Sequence, residues 1–232
     1  MLTERTFTVE EFATSIADFV DQVPEGTTEV RCIGKGLTSL EGASRLPKSV
    51  TTLDVYNNRI RSLCDLQGLV GSNVLKLDIS NNLIVSLQGL VGSNVITLFI
   101  RNNRISGETA LQGLVGSNVS GLNISGNQVS SLQGLVGSKV SELNISSNLI
   151  SSLQGLVSEG KCSKVSVLKI SDNLIKSWNE LRWLVGSNVT DLDIRSNNPV
   201  YREFEEKGGN KNLEKIIKDL ENDRFDVKSA IC

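Results

Sequence analysis

Apolar residues along this chain come in short alternating bursts separated by a fixed polar rhythm. Around Leu77, apolar Leu77 and Ile79 alternate with polar Lys76, Asp78 and Ser80, and Asn82 and Ile84 follow. The same order recurs at Leu53/Val55/Asn58, Leu98/Ile100/Asn103, Leu122/Ile124/Asn127, Leu143/Ile145/Asn148, Leu168/Ile170/Asn173 and Leu192/Ile194/Asn197. Alternation over so few residues predicts a short, half-buried strand whose aliphatic side chains share one face. The segment between bursts is nearly constant. LQGLVGSNV stands unchanged at Leu66–Val74, Leu87–Val95 and Leu111–Val119, carries Lys139 in place of Asn at Leu132–Val140, and returns in altered form at Leu153–Val165 and Leu181–Val189. From Val30 through Leu53, Leu77, Leu98, Leu122, Leu143 and Leu168 to Leu192, the successive spacings are 23, 24, 21, 24, 21, 25 and 24 residues. Self-similarity at such a period predicts stacked coils, none of which could bury its apolar residues alone.

These strands and asparagines resemble the leucine-rich repeat, L-x-x-L-x-L-x-x-N-x-L, over most of Val30 to Val200. The resemblance is greatest to the SDS22-like subclass, with the repeats of bacterial internalins second. It implies a curved α/β solenoid of about eight coils, with a parallel β-sheet on the concave face, short 3₁₀ or α turns on the convex face, and helical caps at both ends. It also implies that Asn58, Asn82, Asn103, Asn127, Asn148, Asn173 and Asn197 form a structural ladder of hydrogen bonds to backbone groups. The expected organisation is an N-terminal helical cap over residues 1–27, the solenoid over 28–200, and a C-terminal helical cap or tail over 201–232. Thr8 to Glu11 has the form of a capping box, and Phe12, Ile16, Phe19, Val20 and Val23 follow at helical spacing. Two short helices, about Tyr201–Lys207 and Asn212–Asn222, are expected on either side of Gly208-Gly209, with Phe225, Val227 and Ile231 returning the tail to the core.

Composition narrows the chemistry. The 232 residues include no histidine, which removes Ser-His-Asp and Cys-His catalysis and His-ligated zinc. Gly155 to Cys162 matches G-x-x-x-x-G-K but ends in Cys where a nucleotide loop needs a Ser or Thr hydroxyl, and it aligns with the LVGSNV turn. No enzyme activity, cofactor or metal is expected. A net charge of −2 gives no field for nucleic acid, and no apolar run is long enough to cross a membrane. The four cysteines, Cys32, Cys64, Cys162 and Cys232, are dispersed. With no apolar leader in the first ten residues, that pattern is read as a reducing, cytoplasmic setting, cytoskeletal association included.

The outward strand positions differ from coil to coil, unlike the outer segment, and so form the candidate partner-binding face: Tyr56, Lys76, Asp78, Phe99, Arg101, Asn123, Glu142, Lys169, Asp191, Asp193 and Arg195. Phe99 stands out, a large aromatic where neighbouring coils carry Asp, Asn or Lys. The expected function is a non-catalytic protein–protein interaction module, a scaffold, adaptor or regulatory subunit, monomeric by itself and holding a protein partner on its concave face. Two alternatives accompany it: a structural, cytoskeletal or flagellar component using the repetitive convex face, and a secreted effector or adhesin of internalin-like type.

Overall fold

The computed structural model describes residues 5–61, 68–158, 160–195 and 198–222. Nine three-residue strands make one parallel sheet in chain order: Thr6–Thr8, Glu29–Arg31, Thr52–Asp54, Lys76–Asp78, Thr97–Phe99, Gly121–Asn123, Glu142–Asn144, Val167–Lys169 and Asp191–Asp193. Pairing is in register throughout, Leu53 facing Leu77 and Leu77 facing Leu98. Each central strand residue from Val30 to Leu192 is buried, as is the aliphatic two places on. One continuous apolar spine therefore runs through a curved solenoid, with the sheet on its concave side.

The sheet has nine strands rather than eight, because the N-terminal segment is not the α-helix its apolar spacing predicted. It forms the strand Thr6–Thr8, then 3₁₀ turns at Ile16–Asp18 and Val20–Gln22. Its backbone donors and acceptors pair with the next coil instead of internally: Val9 N–H donates to Arg31 O (2.8 Å), Ala13 N–H to Lys35 O (3.1 Å) and Thr38 N–H to Thr14 O (2.8 Å). Ile16, Phe19, Val20 and Val23 still turn inward, but Phe12 is 72% exposed. The expected capping box at Thr8 is absent, since Thr8 is in the strand. The Asp18 carboxylate instead accepts from Thr14 N–H (2.6 Å) and Ser15 N–H (3.1 Å).

At the exit of the strands from Thr52–Asp54 onward an asparagine amide joins two coils. The Asn103 Oδ1 accepts from Ile84 N–H (2.9 Å) in the preceding coil, and its Nδ2 donates to Ile79, Ile100 and Arg101 carbonyls at 3.1–3.2 Å. Asn58, Asn82, Asn127, Asn148 and Asn173 repeat this geometry. Asn197 lies outside the described residues; the rung after Asn173 is built by Asn198, which accepts from Ile175 N–H (3.1 Å) and donates to Ile170 O (2.8 Å).

The near-identity of the outer segment also has a physical cause. Its first glycine lies against the preceding coil's leucine carbonyl, so a Cβ on Gly134 would come within 2.6 Å of the Leu111 carbonyl. Its serine caps the turn, as Ser93 Oγ–H does to Leu90 O (2.8 Å), and its asparagine bridges coils, as Asn118 Nδ2 does to Ser93 O (3.0 Å). Length is explained too. The coils begun by Leu77 and Leu122, each 21 residues, cross the convex side in simple turns, whereas the 24-residue coil begun by Leu98 adds one 3₁₀ turn, Gln112–Leu114. In the longest coil, Val157–Ser158 and Lys161–Cys162 form an antiparallel hairpin, so the G-x-x-x-x-G-K stretch is not a loop between a buried strand and a long helix.

After the last strand, α1 (Tyr201–Glu206) and α2 (Leu213–Asn222) close the C-terminal end, burying Phe204, Leu213, Ile216 and Leu220. Phe225, Val227 and Ile231 lie outside the described residues.

Asn103→Ala leaves several backbone groups at the coil junction without partners and is expected to cost about 1–3 kcal/mol. Urea denaturation of the full chain checks it; an unchanged midpoint would refute the energetic role given to the ladder.

Candidate functional site

Register places the candidate residues in rows along the solenoid. Asp78, Phe99, Asn123, Asn144, Lys169 and Asp193 are consecutive partners in one row. Lys76, Thr97, Gly121, Glu142, Val167 and Asp191 form the row beside it. Tyr56, Arg101 and Arg195 lie just past the strand ends.

The first row has a structural task that the sequence reading missed. A carboxylate or amide oxygen there accepts the backbone N–H two residues later, closing the turn out of the strand. Asp54 does so to Tyr56 N–H (3.1 Å), Asp78 to Ser80 N–H (2.9 Å), Asn123 to Ser125 N–H (3.2 Å) and Asn144 to Ser146 N–H (3.1 Å). Phe99 cannot. The donor it leaves, Arg101 N–H, is accepted instead by Ser80 Oγ of the preceding coil at 3.1 Å, and Ser80 is buried. The aromatic thus displaces a turn-forming residue, and a neighbouring coil compensates the backbone.

The half-buried Phe99 ring divides the concave face. The Lys76 ammonium lies 5.6 Å from the ring centroid, a cation–π contact. On that side is a charged depression lined by Lys76, Asp78, Arg101, Asp54 and Arg31. On the other side is a depression of about 220 Å³ lined by Phe99, Gly121, Asn123, Glu142, Asn144, Val167 and Lys169. Gly121 matters there, because the absence of a side chain opens the floor. Burial raises the Asp54 carboxyl above its ordinary value, with Asp78 adding like-charge repulsion.

The other candidates are not gathered at this place. Asp191, Asp193 and Arg195 line a third depression at the C-terminal end, beside Tyr201 and Phe204. Arg195 pairs with Asp193 at 2.6 Å, and Ser171 Oγ–H donates to the same carboxylate at 2.7 Å. Tyr56 Oη accepts from Asn81 Nδ2 (2.8 Å), and Asn102 Nδ2 donates to Asn81 Oδ1 (2.9 Å), so Tyr56 ends a side-chain chain along the rim. Asn144 and Val167 belong to the central depression although the sequence reading did not select them. Their strand places, shared with Phe99 and Lys76, were the available signal.

Of the cysteines, Cys32 is buried and its thiol pushed up to about 12 by desolvation. Cys162 is disulfide-bonded, which the reading of the dispersed cysteines as a reducing setting did not anticipate. Cys64 and Cys232 lie outside the described residues. Among the described residues no cluster of metal ligands occurs, and no helix is long and apolar enough to cross a membrane.

The Arg195 guanidinium holds the Asp193 carboxyl at about 2, below its ordinary 3.8. A depressed carboxyl contributes stability above its unfolded value and loses it as pH falls through the folded one. Melting temperatures measured from pH 5 down to about 2 should therefore fall less steeply for Asp193→Asn, which keeps the turn, than for the unaltered protein. Parallel profiles would refute this.

No protein-family model matches the chain, and no curated protein matches it in sequence. Solved structures do. Internalin C2 of Listeria monocytogenes superposes with a TM-score of 0.54 at 24% identity, covering 75% of this chain and 76% of that one. The leucine-rich repeat domain of LRIM1 gives 0.52 at 16% identity over 95% of this chain and 84% of that one. A plant ice-binding protein gives 0.51 at 18%, over 82% of this chain and 63% of that one. Likeness at such identities establishes architecture: this chain folds as a leucine-rich repeat solenoid.

Proposed function

We propose that the protein is a non-catalytic interaction module that holds a protein partner on its concave strand face, as a scaffold, adaptor or regulatory subunit. One observation carries the reading. Phe99 occupies a place where five sister coils use an Asp or Asn to close the turn and two carry Arg31 or Lys169, and the backbone donor it leaves is accommodated by Ser80. A half-exposed aromatic beside an open depression has the character of a binding anchor. The resemblance of the repeat sequence to SDS22-like repeats is in keeping with the same class of role.

The convex-face alternative keeps only the exposed valines, Val70, Val91 and Val115, as repeated groups with no stacking task. Glycine, serine and asparagine of LQGLVGSNV are needed for coil-to-coil contacts, so their repetition calls for no external lattice. The internalin-like alternative keeps a specific observation. Cys162 in a disulfide fits an oxidising compartment better than the cytoplasm first expected, and internalin C2 is among the structural neighbours.

Phe99→Ala/Arg101→Ala is expected to abolish partner capture from native-cell extract with the melting transition preserved. Gln112→Ala/Gln133→Ala, on the exposed convex side, should capture normally; the reverse pattern would place binding on the other face. Thiol titration of the denatured, unreduced chain should give fewer than four reactive groups, and a count of four would restore the cytoplasmic reading.

A further inference from the structure

We infer that the central depression beside Phe99 recognises an extended acidic peptide segment, with an apolar side chain seated over Gly121 and a carboxylate held by Asn123, Asn144 and Lys169. This inference rests on the concave-face reading and adds to it the chemistry of the partner.

The two asparagines already use their side-chain oxygens within the fold. The Oδ1 atoms of Asn123 and Asn144 are committed to the N–H groups of Ser125 and Ser146, and Asn123 Oδ1 also accepts from Ser125 Oγ–H at 2.8 Å. That fixes the amide orientation and turns both Nδ2 groups away from their own backbone. Among the described residues neither Nδ2 has a protein partner. Lys169 is next in the row, exposed, and in no ion pair among the described residues. Its neighbour on the far side, Asp193, is engaged by Arg195 and Ser171. Three consecutive rungs thus offer hydrogen-bond donors, one of them cationic, with the acceptors consumed internally. A ligand that satisfies such a row must bring acceptors, and a carboxylate gains most because its hydrogen bonds are charge-assisted.

The apolar half of the ligand follows from the walls. Phe99 stands on one side and Val167 on the other, with Gly121 between them. Glu142, the carboxylate lining this depression, sits in the row of Gly121 rather than that of Asn123 and Asn144. It repels an acidic group from the apolar side and so sets the ligand's direction. Strand spacing of about 4.8 Å puts Lys169 roughly 14 Å along the row from Phe99, while an extended chain advances about 3.3 Å per residue. The apolar and acidic residues of the ligand should therefore lie two to four positions apart.

The test uses the purified full chain against a displayed library of random octapeptides, with enriched sequences resynthesised and measured by fluorescence anisotropy. Enrichment of an apolar residue with Asp or Glu two to four positions away is expected. Asn123→Asp/Asn144→Asp keeps the turns, since Asp54 and Asp78 close the same turn in sister coils, but replaces both amide donors with carboxylates. It should weaken the acidic peptides about tenfold or more at an unchanged melting temperature, and Lys169→Glu should do likewise. No enrichment, enrichment of basic or uncharged sequences, or acidic peptides bound equally by Asn123→Asp/Asn144→Asp would overturn the inference. If enriched peptides lack acidic residues yet lose binding with Phe99→Ala, only the acidic specificity fails. If Phe99→Ala/Arg101→Ala also binds them as the unaltered protein does, the concave-face reading fails as well.

Discussion

Every coil of this solenoid must leave a short strand and turn sharply, and at that corner buried backbone groups have no partner in their own coil. Unsatisfied, each would cost on the order of 1–3 kcal/mol. The ladder from Asn58 to Asn198 answers that demand by taking an N–H from one coil and carbonyls from two. The aliphatic spine supplies most of the driving force for stacking, but the amides specify how far one coil may slide against the next. Register across nine strands follows from the two together.

A second set of polar side chains works one layer out. The Asx turns at Asp54, Asp78, Asn123 and Asn144 tie the concave surface to the corners. Those residues therefore serve fold and surface at once: the oxygen is spent inward, and what remains outward is a carboxylate's second oxygen or an amide's donor. This division makes the concave face chemically legible. At Phe99 the inward task is given up and Ser80 takes the donor from the adjacent coil. A face otherwise constrained by its own backbone has been altered locally to carry a large apolar group.

Repetition has two meanings in this chain. On the convex side, near-identical LQGLVGSNV segments look like an array made for display, yet their glycines approach a neighbouring carbonyl, their serines cap turns and their asparagines cross between coils. For those three residue types sameness is what stacking requires, while Val70, Val91 and Val115 of the same segment stand exposed. Variation on the concave side is bounded by the turns it must still close.

The architecture was readable from residue order because each coil obeys a local rule. Alternating Leu and Ile make a strand, Asn makes a corner, and 21 to 25 residues complete a circuit. Phe99 was visible as an odd aromatic for the same reason. What the chain alone left ambiguous depended on contacts between residues more than twenty positions apart. Phe12 to Val23 has helical spacing, but pairing of Val9 and Ala13 with Arg31 and Lys35 outcompetes a helix and adds a ninth strand. Asn198 makes the rung after Asn173, because only the stacked geometry shows that its amide reaches Ile175. Ten of the eleven outward residues divide among three depressions and Tyr56 stands on the rim, since register decides which side chains share a neighbourhood. Periodicity is a property of one coil; partnership is a property of two, and only the assembled solenoid determines it.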